Sequence, residues 1–254
     1  MIDLPGLLSL GRSSSLLIGV GSAKTVRDDM QEALASLAPD LRLQIFSDAD
    51  SLVAALAGGS IDAAVRGDLS SHEALPRLRD AFGAEETVRA AILSDWQGRH
   101  FLLSPVGIDE GLDEGARLRS ARATISYFAS VGWKLKVGVL SRGRTEDAGR
   151  GLHIGASIAE GERIAQSLRS EGVDARHFEI LLEKATREAD LVLAPDGVTG
   201  NLIFRSLSLV GGRPAFGAPV VNIPGVFVDT SRARTDIADA VLLAAGLAQR
   251  RGRA

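Results

Sequence analysis

The sequence contains no cysteine, which excludes disulfides, thiolate nucleophiles and cysteine-based zinc sites. Aromatic residues make up only 4% of its 254 residues, so the core has to be filled by Leu, Val, Ile and Ala. No apolar run approaches the roughly 18 residues that a membrane-spanning helix needs. Charge of one sign is not in excess either: the formal net charge is -3 with 24% charged residues. A nucleic-acid or anionic-membrane partner would call for a basic patch or an isoelectric point above about 9, so neither partner is expected. The four histidines, His72, His100, His153 and His177, lack H-E-x-x-H spacing, and no metal site is expected. The opening segment carries Pro5 and Gly6 and no basic n-region. It is read as not being a signal peptide, and the protein as soluble and cytoplasmic.

What is present is a chain that is 45% hydrophobic and long enough for one large domain or two moderate ones. Short apolar runs alternate with amphipathic ones. "SLLIGVG", "LRLQIF", "SIDAAVRG", "RHFLLS", "KLKVGVLS" and "DLVLA" read as strands, followed later by "APVVNI" and "GVFVD". "TVRDDMQEALASL" places Val26, Met30, Leu34 and Leu37 on one helical face, with Thr25 as N-cap. "DADSLVAALAGG" is a helix with acidic residues at its start and glycines at its end. "LDEGARLRSARATISYFASVG" is a longer helix with Leu118, Ala121, Ile125 and Phe128 spaced for one face and Gly132 just past its end. "SIAEGERIAQSLRSEG", "HFEILLEKATREA", "NLIFRSLSLV" and residues 235–248 complete the helices. This alternation predicts an α/β fold with mostly parallel sheets covered on both faces.

Such sheets hold ligands beyond the carboxyl ends of their strands, so the strand-to-helix turns are the candidate site. "GVGSAK" (19–24) has Lys24 where a dinucleotide fingerprint needs its third glycine, and no strand is followed by a P-loop Gly-Lys-Ser/Thr. "RGDLSS" (66–71) offers Arg66, Gly67, Ser70 and Ser71. "LSRGRTEDAGR" (140–150) offers Ser141, Arg142, Gly143 and Arg144, with Arg150 behind them. "APDGVTGN" (194–201) offers Asp196, Gly200 and Asn201, and "VDTSRARTD" (228–236) offers Ser231, Arg232 and Asp236. Backbone amides, hydroxyls and guanidinium forks are the groups that bind oxyanions. Turn and cap chemistry alone is the competing reading of each of these segments.

Taken in order and spacing, these segments resemble the phosphate acetyl/butyryltransferase family. Pro195-Asp196, Gly200-Asn201, Gly211-Gly212, Gly217 through Pro219, and Ser231-Arg232 carry the likeness. "IDAAVRGDLSSHEALPRL" and "KVGVLSRG" extend it upstream, so that it spans roughly residues 55 to 250. "LSRGRTEDAGR" is similar to the short branch called methanogenesis marker protein 4, which is labelled a methyltransferase. Ala233 stands where the family has the glycine of Ser-Arg-Gly, and Asp236 lies closer to the serine than the family's aspartate.

The resemblance implies an isocitrate/isopropylmalate-dehydrogenase-like architecture: two three-layer α/β/α domains with mostly parallel sheets and an interdomain cleft. Residues 1–104 and 222–254 would form the first domain and 105–221 an inserted second one, in a homodimer. The cleft would bind a small anionic ligand, with coenzyme A or a phosphorylated coenzyme as substrate and no tightly bound cofactor. Ser231 would hydrogen-bond the thioester, Arg232 would stabilise the oxyanion, and Asp236 would be the base. The substrate-binding set would be Arg66, Gly67, Ser70, Ser71, Ser141, Arg142, Gly143, Arg144, Asp196, Gly200 and Asn201. The function implied is acyl or phosphate transfer in a methanogenesis-associated role. A non-catalytic or regulatory anion-binding protein is an alternative, and so is a methyltransferase, although no glycine-rich adenosylmethionine loop or corrinoid-type histidine motif is present. The hydroxythreonine-phosphate dehydrogenases share the fold but use NAD and a histidine-bound metal, which the histidine spacing does not match.

Overall fold

The computed structural model describes residues 2–22, 38–231 and 237–252. Its elements in chain order are α1 (Leu4–Arg12), β1 (Leu17–Gly21), β2 (Arg42–Phe46), α2 (Ala49–Ala57), β3 (Ala63–Val65) and α3 (Ser71–Phe82). Then come β4 (Ala91–Ser94), β5 (His100–Ser104), α4 (Glu114–Ala129), β6 (Val137–Leu140), a 3-10 turn (Thr145–Arg150), α5 (Leu152–Ser170), β7 (Ala175–Glu179) and α6 (Leu182–Glu188). The last are β8 (Leu191–Leu193), α7 (Gly197–Phe204) with a π-helical extension (Arg205–Val210), β9 (Ala215–Pro219), β10 (Phe227–Asp229) and α8 (Ala238–Arg251). Among the described residues, no helix is long and apolar enough to cross a membrane.

The chain divides into two compact units: a continuous one over Val88–Ala215, joined by the first two residues, and a split one over Asp3–Thr87 and Phe216–Ala254. In the split unit the strand order is β2-β1-β3-β10-β9, parallel throughout except where β10 meets β9. In the continuous unit the order is β4-β5-β8-β6-β7, parallel except for the β4–β5 hairpin. The fold is therefore α/β with mostly parallel strands, as the alternation of apolar and amphipathic runs predicts.

The core is aliphatic. In the split unit, Leu52, Val53 and Leu56 of α2 and Leu75 and Leu78 of α3 pack with Ala64, Ile223 and Phe227. Complete burial of each such side chain contributes on the order of 1.5–3 kcal/mol.

The structure differs from the sequence reading at several elements. The opening residues form α1, started by the Asp3 side chain accepting from the Gly6 N–H with Pro5 in the first turn. Residues 71–82 form α3 although Pro76 removes one helical donor. There the burial of Ala74, Leu75 and Leu78 outweighs the defect. "HFEILLEKATREA" is not one helix: Ala175–Glu179 pairs with β6, and the helix starts at Leu182. Strand pairing overrides the local helical spacing here. α7 begins at Gly197 rather than at Asn201, because Asp196 is its cap. The strand near residue 218 is Ala215–Pro219 rather than "APVVNI". The helix read over residues 25–37 lies outside the described residues.

The buried stripe of α4 is also shifted. Ala121 and Phe128 are fully buried, as their spacing predicts, but they share that face with Arg117, Ser120 and Thr124. Leu118 and Ile125 are only half-buried.

Candidate functional site

In the split unit, β3 runs directly into Arg66, which is 4% exposed. Its guanidinium donates to the Asp229 carboxylate at the end of β10 and to the main-chain oxygens of Leu69 and Thr230. The Thr230 hydroxyl returns a hydrogen bond to the Gly67 oxygen at 2.8 Å. Arg66 thus ties the loop after β3 to the loop after β10. Gly67 has φ +60°, and a Cβ there would stand 1.9 Å from the Gly21 oxygen at the end of β1. Only glycine permits both that conformation and that approach. Ser70 is the N-cap residue of α3 and Ser71 its first helical residue, both half-buried. Ser231, two residues past β10, is half-buried as well. Arg232 and Asp236 lie outside the described residues.

In the continuous unit, β6 and β8 are neighbours, and the loops leaving their carboxyl ends meet. Ser141 is buried; its hydroxyl donates to the Gly143 oxygen at 3.1 Å and lies 2.9 Å from His177 Nε2 on β7. The Arg142 N–H donates to Ser157 Oγ of α5 at 3.1 Å. The Arg142 guanidinium is half-exposed and donates to Asp196 Oδ2 at 2.7 Å. Arg144 is exposed and pairs with Glu146 at 3.4 Å, while its N–H is bound by Asp147 at 3.0 Å. Arg150, also exposed, pairs with Asp147 at 2.9 Å.

The next turn is held from β7. Glu179 adopts φ +58°, and its carboxylate accepts from the Thr145 N–H at 2.9 Å and from the Thr145 hydroxyl. Those Thr145 bonds hold the Glu179 carboxyl below the usual carboxylate range.

Asp196 serves two groups at once. One oxygen caps α7 by accepting from the Thr199 N–H at 2.7 Å, and the other faces Arg142 and the Thr199 hydroxyl. Partial burial pushes this carboxyl up, but the Arg142 and Thr199 hydrogen bonds outweigh it and hold it below the normal range. Asp196 therefore provides the negative charge at the start of α7 that the helix dipole favours.

Gly200 and Asn201 face the turn after β5. The Gly200 N–H donates to the Asp196 oxygen at 2.9 Å within the helix. A Cβ on Gly200 would stand 1.9 Å from the Pro105 oxygen, and Asn201 Nδ2 donates to the Val106 oxygen at 3.0 Å. That turn is itself fastened by Glu110, which accepts from the Val106 and Gly107 N–H groups and from Arg89 Nε at 2.6 Å. Burial raises the Glu110 carboxyl despite Arg89 beside it.

One residue of this arrangement was absent from the candidate set. Arg117 on α4, 1% exposed, donates from Nε to the Ala194 oxygen at 3.1 Å and from Nη2 to the Leu140 oxygen at 2.8 Å. Its Nη1 donates to Glu160 of α5 at 2.9 Å. Leu140 is the last residue of β6, and Ala194 directly follows β8. The signal in the sequence is an arginine in the same helical stripe as Ala121, Thr124 and Phe128.

The structure thus brings Ser141, Arg142, Gly143 and Asp196 together within the continuous unit, and Arg66, Gly67 and the Ser231 segment together within the split one. Among the described residues, no group of three or more His, Asp or Glu is placed to hold a metal ion.

No family model matches the chain. A protein of Methanosarcina acetivorans named "Putative methyltransferase mtx subunit X" is 35% identical over 229 residues, which cover 90% of this chain and 82% of the relative. The chain belongs to the MtxX family. A second MtxX relative, from Methanosarcina barkeri, is 39% identical over 187 residues, covering 74% of this chain and 69% of the relative.

Solved structures similar to this MtxX chain include phosphotransacylases. A phosphotransacetylase from Streptococcus pyogenes matches over 100% of both chains with a TM-score of 0.68 at 15% identity. A branched-chain phosphotransacylase from Enterococcus faecalis V583 covers 99% of this chain and 95% of its own, with a TM-score of 0.67 at 16% identity. A 4-hydroxythreonine-4-phosphate dehydrogenase from Klebsiella pneumoniae matches less closely, with a TM-score of 0.55 over 96% of this chain and 86% of its own, at 13% identity. At such identities the likeness carries the fold alone. The phosphotransacylase fold and the MtxX relationship agree with the two halves of the resemblance read from the sequence.

Proposed function

We propose that this MtxX protein binds a phosphorylated or coenzyme A-type ligand at its carboxyl-end loops and transfers an acyl group between phosphate and a thiol, in a methanogenesis-associated role. The observation that carries the reading is the half-exposed Arg142 guanidinium at the meeting point of the β6 and β8 loops, held there by a carboxylate that an incoming phosphate can replace. Arg144 and Arg150 stand exposed on the same loop. An arginine fork matches phosphate geometry and gives bidentate binding that a helix terminus alone does not. The phosphotransacylase fold supports the reaction class.

In the transfer step the thiol gives up its proton to a base and its sulfur attacks the acyl-phosphate carbonyl. The C–S bond forms, the C–O bond to phosphate breaks, and phosphate leaves with the electron pair. Ser231 is assigned to hydrogen-bond the reacting carbonyl, Arg232 to stabilise its oxyanion and Asp236 to take the proton. A good oxyanion donor contributes about 2.7–4 kcal/mol to such a step. The active species is taken to be a homodimer.

The test is transfer of the acyl group from acetyl-coenzyme A and longer acyl thioesters to labelled phosphate, followed as labelled acyl phosphate with release of the free thiol. Transfer that requires both phosphate and a thioester supports the reading, and none with any short acyl thioester overturns it. The relatives' name supports a second reading in which a methyl group is carried instead. Heat-shift titration with adenosylmethionine and with a methyl-corrinoid protein separates the two.

A further inference from the structure

We propose that Arg117 is the positioning residue for the anion-binding loops, fixing the β6 and β8 exits in one register and placing a buried positive charge behind them. The inference rests on the anion-binding reading above and names the group that makes that site competent.

Arg117 reaches across two adjacent parallel strands at the point where each ends. It takes the Leu140 oxygen with one nitrogen and the Ala194 oxygen with another, and each of these residues immediately precedes a candidate loop. A carbonyl at a strand end has lost its ladder partner, and burying it without a donor is destabilising. Arg117 satisfies two such oxygens from a single planar group, so the spacing of the two exits is set by the fork of one guanidinium. That spacing is what allows Arg142 to reach Asp196 at 2.7 Å.

The charges form a stack. Glu160 compensates Arg117 from one side but keeps a quarter of its own surface in water, so it screens the cation only in part. On the loop side, Arg142 and Asp196 compensate each other. When an anion takes Arg142, Asp196 is left facing Arg117, and the buried cation then stabilises the displaced carboxylate. A residue that only filled space would have no such role.

The experiment measures binding of inorganic phosphate and of coenzyme A by calorimetry on the wild type, Glu160→Gln, Arg117→Lys and Arg117→Met. Glu160→Gln keeps an oxygen for Nη1 and removes the partial screen, so phosphate binding tightens about threefold. Arg117→Lys keeps the charge but cannot span both carbonyls, so binding weakens about tenfold while the fold is retained. Arg117→Met weakens it further or fails to fold.

Two outcomes overturn the proposal: a folded Arg117→Lys protein that binds phosphate like the wild type, or Glu160→Gln binding no more tightly than wild type. If the wild type binds neither phosphate nor coenzyme A, the anion-binding reading itself has failed. The positioning role is then decided by amide chemical shifts in Arg117→Lys. Shifts at both 141–144 and 195–199 sustain it, and shifts confined to α4 overturn it.

Discussion

Arg142 and Asp196 lie 54 positions apart in the chain, yet their side chains meet at 2.7 Å where the β6 and β8 loops come together. The pair is half-open to water on the arginine side. Such a pair contributes little to stability, about 0–1 kcal/mol. Under the proposed anion-binding function, Asp196 competes with phosphate for the Arg142 guanidinium.

Replacing Asp196 with Asn is expected to tighten inorganic phosphate binding about threefold at low salt, with a smaller gain at high salt. Asn caps helices as well as Asp does, so α7 should keep its start. Unchanged or weaker phosphate binding in a calorimetric titration would count against Arg142 as an anion ligand. The same variant tests the acid limb. Because the folded Asp196 carboxyl is held below its normal value, its stabilisation is complete above the unfolded value, about 3.9. It is lost as pH falls through the lower folded value. Asp196→Asn should therefore flatten part of the melting-temperature decline below pH 4.

Histidine protonation should shape the neutral range. Burial holds His177 below its usual value, with the nearby Glu162 and Glu179 opposing and Arg117 reinforcing the effect; His100 is lowered by burial too, against the charge of Asp95. The unfolded chain binds more protons between the unfolded value, about 6.5, and the lower folded one. Stability is then fully present above about 6.5 and declines as pH falls below it. Melting temperatures from pH 7.5 to 5 should show this fall in the wild type, less of it in His177→Gln, and little in the double variant with His100→Gln. A wild-type curve flat over that range would refute the assignment.

Gly200→Ala puts a methyl group where the Pro105 oxygen already stands. The helix cannot accept it without moving off the turn after β5, and the expected destabilisation is about 1–3 kcal/mol, typical of overpacking. Urea unfolding measures it. A loss below half a kilocalorie would mean that the turn yields readily.

Arg232→Ala is the catalytic test. If that side chain stabilises the transition state, acyl exchange should fall about a hundredfold or more while phosphate binding at the Arg142 loop persists. Equal loss of binding and turnover would place Arg232 in ground-state recognition instead.

Much of this was legible in the sequence. β1, β2, β3, β5, β6 and β8 are short apolar runs bounded by turn residues, and the acidic residues opening "DADSLVAALAGG" mark the start of α2, which Asp48 caps. The loop residues that come together, from Ser141 to Asp196, were legible because strand ends in parallel sheets place their loops on one edge. What was hidden followed from partners distant in the chain. β7 carries helical spacing and becomes a strand only because β6 lies beside it. The role of Arg117 depends on two carbonyls that no local pattern reveals, and Gly200 reads as a helix opener until the Pro105 oxygen is seen against it.

Arg66 and Arg117 direct most of their donors to main-chain oxygens rather than to side chains of the loops they secure. Apart from backbone-restricted positions such as Gly67, each anchor therefore holds its loops by acceptors that a change of side chain leaves in place. Exchanging an exposed side chain on one of these loops is then expected to change what that unit presents to a ligand without loosening the inward-facing rivet behind it.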